Sequence, residues 1–233
     1  MVPSNVDDAF LPTCTGRRVN ILNPRPEEID IEDIAQALSH TCRFAGHVPA
    51  FYSVAQHSLL ASELLDARTA LWGLLHDAAE AYLHDLTRPL KRVLAATPEN
   101  SDRLRYLGDS LAHDLADRGL IAHDAWMIVA NLITSTIVED RLNRGVPYAE
   151  LDRRMMAAVC ARFRLAPEMP PEVVGADNIV LSTELRDVCG RTPEECVSWS
   201  GAQPMAWRIK PYCPEVAKDL FLVRFEKLAG KAA

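Results

Sequence analysis

With 233 residues, 48% of them hydrophobic, the chain carries enough apolar material for a sizeable core and reads as a single globular domain, with two small domains as the alternative. A formal net charge of -7 argues against nonspecific binding to a nucleic-acid polymer or an anionic membrane, both of which need a basic face. No apolar run approaches the roughly 20 residues of a membrane helix, the acidic N-terminus lacks a signal pattern, and six cysteines without a C-x-x-C pair read as reduced thiols. The expected location is cytoplasmic.

The periodicity along the chain is helical. Asp30 is a candidate N-cap for a helix over 30–39, with Ile31, Ile34, Ala35 and Leu38 on one stripe. Ser53 opens a second helix over about 53–65 that aligns Val54, Ala61, Leu64 and Leu65 and puts His57 on the same inward face. A third, over about 69–84, stripes Leu71, Leu74, Leu75, Ala78 and Tyr82 and stops before Pro89. Further helices are expected near 100–118, 123–141, 150–163, 172–188 and 215–228, with Trp207–Pro211 as an extended strap before the last. The expected fold class is all-α.

The segment Leu71-Trp72-Gly73-Leu74-Leu75-His76-Asp77-Ala78-Ala79-Glu80 drives an imidazole and a carboxylate into an apolar helix. A carboxylate is rarely buried unless a cation sits beside it, because an isolated charge loses its hydration in a low-dielectric interior. Imidazole and carboxylate together suit a divalent transition ion. Three other His-Asp dipeptides occur, at His84-Asp85, His113-Asp114 and His123-Asp124, so the dipeptide alone decides nothing. The last two flank a polar junction and read as solvated or capping residues, and His40 and His47 as structural or surface ones.

His57, His76 and Asp77 supply three ligands, and a facing helix should bring a fourth. Spacing leaves two candidates. Asp177 sits on a stripe with Val173, Val174, Val180 and Leu181, and Asp140 aligns with Ile133 and Ile137.

The order His57 … His76-Asp77 … Asp177 resembles the H…HD…D pattern of the HD-domain metal-dependent phosphohydrolases, and Ala176-Asp177 followed by Leu181-Ser182-Thr183-Glu184 resembles the segment carrying that family's last ligand. Ile29-Asp30-Ile31-Glu32-Asp33-Ile34, Cys42-Arg43-Phe44, Tyr52-Ser53-Val54-Ala55-Gln56-His57-Ser58 and His76-Asp77-Ala78-Ala79-Glu80 resemble the branch containing bacterial 5'-deoxynucleotidases and phage dATP triphosphohydrolases. The likeness covers about 17–95 and 172–190; 96–170 reads as a helical insertion and 200–228 as the strap and a final helix. It implies an HD-domain helical bundle holding one divalent ion (Mn, Co, Fe, Ni, Zn or Mg) through His57, His76, Asp77 and Asp177. Asp140 then becomes a structural or surface residue.

Such an ion lowers the pKa of coordinated water and neutralises charge on phosphoryl oxygens, which suits phosphoester hydrolysis. Glu80, four residues after His76 and three after Asp77, falls on a neighbouring helical face where it can orient water or act as general base, the role of the matching glutamate in the resembling deoxynucleotidases. By the same resemblance Asp85 is a second catalytic acid. Arg88 and Lys91 add positive charge nearby, and Arg43-Phe44 offers a guanidinium to phosphate and a ring to a base or sugar; the resemblance favours Arg43 and Lys91 for phosphate.

The expected activity is hydrolysis of nucleotides, deoxynucleotides foremost, releasing orthophosphate from a monophosphate or triphosphate from a triphosphate. Another phosphorylated metabolite or a cyclic nucleotide is the alternative substrate. A noncatalytic metal-dependent nucleotide-binding module is the alternative class, against which Glu80 counts. Whether the chain forms a homo-oligomer stays open.

Overall fold

The computed structural model describes residues 9–94, 115–119 and 146–230. Most of the helix expected near 100–118, all of that near 123–141, and with them His113-Asp114, His123-Asp124 and Asp140 lie outside the described residues. The chain divides into two compact units, one of Asn5–Thr87 with Leu151–Ala233 and a second of Met1–Ser4 with Arg88–Glu150. The expected insertion over 96–170 does not follow this division, because residues 151–170 belong to the first unit.

The fold is all-α, with a single small hairpin among the described residues. Strands β1 (Phe10–Pro12) and β2 (Arg18–Asn20) pair antiparallel with Leu11 opposite Val19, and the turn between them needs the left-handed Gly16 (φ 83). Val19 is fully buried and pins the hairpin to the core. Asp33 holds the turn by accepting from Thr15 N at 2.8 Å, Thr15 Oγ1 at 2.7 Å and Cys14 Sγ at 3.0 Å.

Helix α1 (Ile31–His40) starts where Asp30 caps it by accepting from Glu32 N, and buries Ile34, Ala35 and Leu38. Ser53 likewise accepts from Gln56 N to open α2 (Val54–Glu63). That helix is not the amphipathic element its spacing suggested. Every residue from Val54 to Ser62 is buried, because α1 and the helices Ala70–Leu75, Pro171–Asp187 and Pro214–Ala229 all pack on it, whereas Leu64 is exposed just past its end. A helix enclosed on all sides has to satisfy its polar side chains internally, and Gln56, His57 and Ser62 do so, whereas the buried Ser58 Oγ has no partner among the described residues.

The helix expected over 69–84 is broken in two. α3 (Ala70–Leu75) and α4 (Glu80–Leu83) are separated by a tight turn whose bonds run three residues back: Ala78 N to Leu75 O, Glu80 N to Asp77 O and Tyr82 N to Ala79 O. At three residues per turn, Asp77 and Glu80 come onto one side. α4 ends at His84, whose φ of 71 and ψ of 153 turn the chain sharply.

Helix α6 (Tyr148–Phe163) places Met155, Ala158 and Val159 in the same core as Leu74, Leu75 and Phe221. α7 (Pro171–Asp187) turns Val173, Ala176, Val180 and Glu184 inward; Val174, expected on that stripe, is exposed. α8 (Pro193–Ser200) is an element the periodicity did not reveal, although Thr192 and Glu195 form a capping box that marks its start. α9 (Pro214–Ala229) packs Ala217, Phe221 and Leu228 against α1, α2 and α3, and Arg224 donates to Ser62 O at 2.7 Å. Each large apolar side chain buried this way contributes about 1.5–3 kcal/mol.

The 201–213 segment, which contains the expected strap Trp207–Pro211, is non-helical and is fastened to α7 and α2. Arg186 donates to the carbonyls of Met205 and Trp207, and Asp187 accepts from Arg208 and from Ile209 N. No helix among the described residues is long and apolar enough to cross a membrane.

In the second unit, α5 (Arg88–Leu94) begins with Pro89 in its first turn, where a missing N–H costs nothing. Pro89, expected only as a stop, therefore opens a helix, and the preceding one ends earlier, at His84.

Candidate metal centre

His57 enters the core one turn into α2 and is fully buried. Its Nδ1 donates to Glu184 Oε1 at 2.7 Å, which turns Nε2 toward His76 Nε2 at 3.2 Å, Asp177 Oδ1 at 3.2 Å and Asp77 Oδ2 at 3.6 Å. His76 sits where α3 tightens, and its Nδ1 lies 2.8 Å from Gly73 O. A carbonyl only accepts, so the proton is assigned to Nδ1 and the Nε2 lone pair faces the cluster, 3.3 Å from Asp77 Oδ2.

The His57, His76 and Asp177 ligand atoms all lie within 4.8 Å of one another and could hold a metal ion. Asp77 adds its oxygen beside both imidazoles. Two imidazole nitrogens and the Asp177 carboxylate drawn to one point, with Asp77 beside the imidazoles and each ring held from behind by an oxygen acceptor, fit a cation of the N/O-ligated type.

The electrostatics agree. Burial should raise the Asp77 carboxyl, but His76, His57 and Arg43 hold it well below the usual carboxylate range. Burial also opposes ionisation of Asp177, and the hydrogen bond and charge of His57 win, bringing it to about 2. His57 would be lowered by burial and by Arg43, yet Glu184 and Asp177 raise it to about 10. The negative potential that favours a proton there equally favours a divalent cation.

Behind this cluster lies a buried ion pair. Arg43 NH2 is 3.0 Å from Glu184 Oε2 and its NH1 is 3.7 Å from Asp77 Oδ2. Burial lowers Glu184's tendency to ionise, but Arg43 and His57 keep it charged. Arg43 is held strongly protonated against burial by Glu184, Asp77 and Asp85. Its Nε is buried without a hydrogen-bond partner among the described residues.

Phe44 places its ring 5.5 Å from the Arg43 guanidinium carbon. Phe44 and Ala45 both adopt left-handed backbone (φ 56 and 51), as does His84 immediately before Asp85. For residues with a Cβ, such conformations cost about 1–3 kcal/mol each and persist only where packing enforces them. Both strained points adjoin candidate site residues. Glu80 is buried at 5% exposure, one tight turn beyond Asp77.

No family model matches the sequence. The uncharacterized protein YfdR of Escherichia coli K12 is 46% identical over 225 residues, covering 95% of this chain and 96% of YfdR. The chain belongs to the YfdR family. An uncharacterized protein of Rhodobacter capsulatus is 41% identical over 100 residues, 39% of this chain and 51% of its own.

In this YfdR-family chain, the residues singled out by sequence sort into two groups. His57, His76, Asp77, Asp177, Glu80, Arg43, Phe44 and Asp85 all belong to the first unit; His57, His76 and Asp177 converge, and Asp77 stands beside the two imidazoles. Arg88 and Lys91 stand on α5 in the second unit, where Arg88 is exposed and the Lys91 ammonium lies 5.9 Å from the Tyr148 ring centroid. His40 and His47 are exposed, and His40 bonds Gln36 and Ser39. Glu184 was given no role by sequence reasoning. Its place seven residues after Asp177, on the stripe of Val173, Ala176 and Val180, was the available signal.

Proposed function

We propose that the chain is a metal-dependent phosphohydrolase of the HD-domain type acting on nucleotides, with deoxynucleotides the leading substrates and His57, His76, Asp77 and Asp177 as ligands to one divalent ion. The observation that carries this reading is the approach of two buried Nε2 atoms to 3.2 Å of each other between two carboxylates, with the buried acid Glu80 one tight turn away.

When bound, the ion would lower the pKa of a coordinated water and neutralise charge on phosphoryl oxygens. Glu80 stands on the side of Asp77 and accepts or orients a proton of the attacking water. Arg43, fixed by Glu184 and already beside Asp77, would hold a phosphoryl oxygen. Asp85 acts on the charge of Arg43 and is the acid for the leaving oxygen. Phe44 offers its ring to the base or sugar.

The test is release of orthophosphate or triphosphate from nucleoside mono-, di- and triphosphates, ribo and deoxy, with Mn, Co, Mg and Zn. Turnover that depends on the added ion supports the reading and identifies the product. Metal-loaded protein that binds a nucleotide tightly and releases nothing would replace it with a binding module.

A further inference from the structure

Asp177 and Glu184 occupy the inward face of α7 two turns apart and close on opposite nitrogens of the same ring. Asp177 Oδ1 lies 3.2 Å from His57 Nε2, and Glu184 Oε1 lies 2.7 Å from His57 Nδ1. Glu184 is wholly buried, and its second oxygen takes Arg43, whose other terminal nitrogen reaches toward Asp77. The contacts Asp177–His57–Glu184–Arg43–Asp77 therefore run without a break from one candidate ligand to another.

A buried ion pair is costly to desolvate, and apolar side chains of similar volume in place of both partners would pack α7 against α2 as well, so the pair asks for a reason beyond stability. The position of Glu184 is explained by what it orients. Held only by its Cβ, an imidazole can turn about χ2 and present either nitrogen; a carboxylate on Nδ1 fixes the ring, the tautomer and the donor strength of Nε2.

Resting on the metal-centre reading above, we infer that Glu184 is a positioning residue that sets metal affinity through His57 and at the same time fixes Arg43 for phosphate. A single side chain thus ties the ion site to the substrate site. Neither function touches the reacting atoms directly.

The two functions separate on substitution. In Glu184→Gln the carboxamide oxygen can still accept from His57 Nδ1, but its NH2 faces the Arg43 donors, and the charge is gone. Metal affinity should fall about 10–100-fold, the usual effect of removing such a supporting partner. Saturating metal should then restore most of kcat while KM stays raised, because Arg43 is no longer held.

Should the single variant unfold from the uncompensated Arg43, the double variant Glu184→Gln with Arg43→Met removes the buried pair together and keeps the affinity test available. The experiment is calorimetric titration of Mn and Co into the metal-free wild-type and variant chains, with circular dichroism to verify folding. Weaker binding by a folded variant supports the inference. Wild-type affinity in a folded variant overturns it and leaves the metal centre standing, whereas a wild-type chain that takes up neither ion removes both.

Discussion

Gln56 clasps the strap at Tyr212: its Oε1 accepts from Tyr212 N at 2.8 Å while its Nε2 donates to Lys210 O, also at 2.8 Å. Both ends of one carboxamide are spent on strap backbone, and Gln56 is the residue before His57. The strap is thereby anchored directly to the helix that carries a candidate ligand.

Gln56→Leu keeps the volume and abandons both bonds, leaving a backbone donor and acceptor without their partner. The expected loss is about 1–3 kcal/mol of stability. Hydrogen exchange locates it: the Tyr212 amide should lose protection, while the Ile209 amide, held by Asp187, keeps most of its own. Equal protection of Tyr212 in both chains would show that packing, not Gln56, holds the strap.

Asp187 is the other anchor, accepting from Arg186, Arg208 and Ile209 N. Burial tends to raise its carboxyl, and these donors reverse that and lower it below the ordinary value. A depressed folded-state pKa means stabilisation that is present above the unfolded value and lost as pH falls through the folded one. The wild-type melting temperature should therefore decline on acidification below about pH 4, the region of an unperturbed Asp, and Asp187→Asn should be less stable at neutral pH with a shallower acid decline. Parallel acid limbs for the two proteins would contradict this.

Helix caps and stripes were legible in the chain because Asp30 and Ser53 act locally, through their own backbone neighbours. The convergence of His57 with His76-Asp77 could be anticipated for a different reason, namely that charged and imidazole groups inside apolar helices demand a shared partner. What escaped was nonlocal or subtle. The all-round burial of α2 depends on four other helices, and the tightening after Leu75 comes from hydrogen bonds slipping from four to three residues without a proline or glycine to announce it. Glu184 hid for the same reason, since its partners Arg43 and His57 lie more than a hundred residues away in sequence.

Asp77 and Glu80 make a paired test of ligand against catalyst. Asp77→Ala should abolish stoichiometric metal uptake and turnover together, because it removes an oxygen beside both imidazoles. Glu80→Ala should retain the metal and slow turnover by about 10²–10⁴, the scale of a positioned acid or base. Metal content by elemental analysis and initial rates on the best nucleotide substrate decide it. A Glu80 variant with wild-type turnover would strip that residue of its role, and an Asp77 variant with full metal content would remove it from the ligand set.

Gly73 controls how closely α3 lies on α2. A Cβ there would run into the Leu65 side chain and stand 3.3 Å from Ser62 Cα, and the Gly73 carbonyl is also the acceptor that orients His76. The Leu65 methyl can swing away, but the Ser62 backbone cannot, so Gly73→Ala must push α3 outward by a few tenths of an ångström. The expected cost is about 1–3 kcal/mol, typical of overpacking. Because His76 travels with α3 and His57 stays with α2, the nitrogens now 3.2 Å apart should separate, and metal affinity should drop along with the melting temperature. Measured together, the two quantities discriminate. A chain that melts earlier yet binds metal as before would mean that the turn after Leu75 absorbs the displacement, and that the spacing of the imidazoles is set locally by His76-Asp77 rather than by the contact between helices.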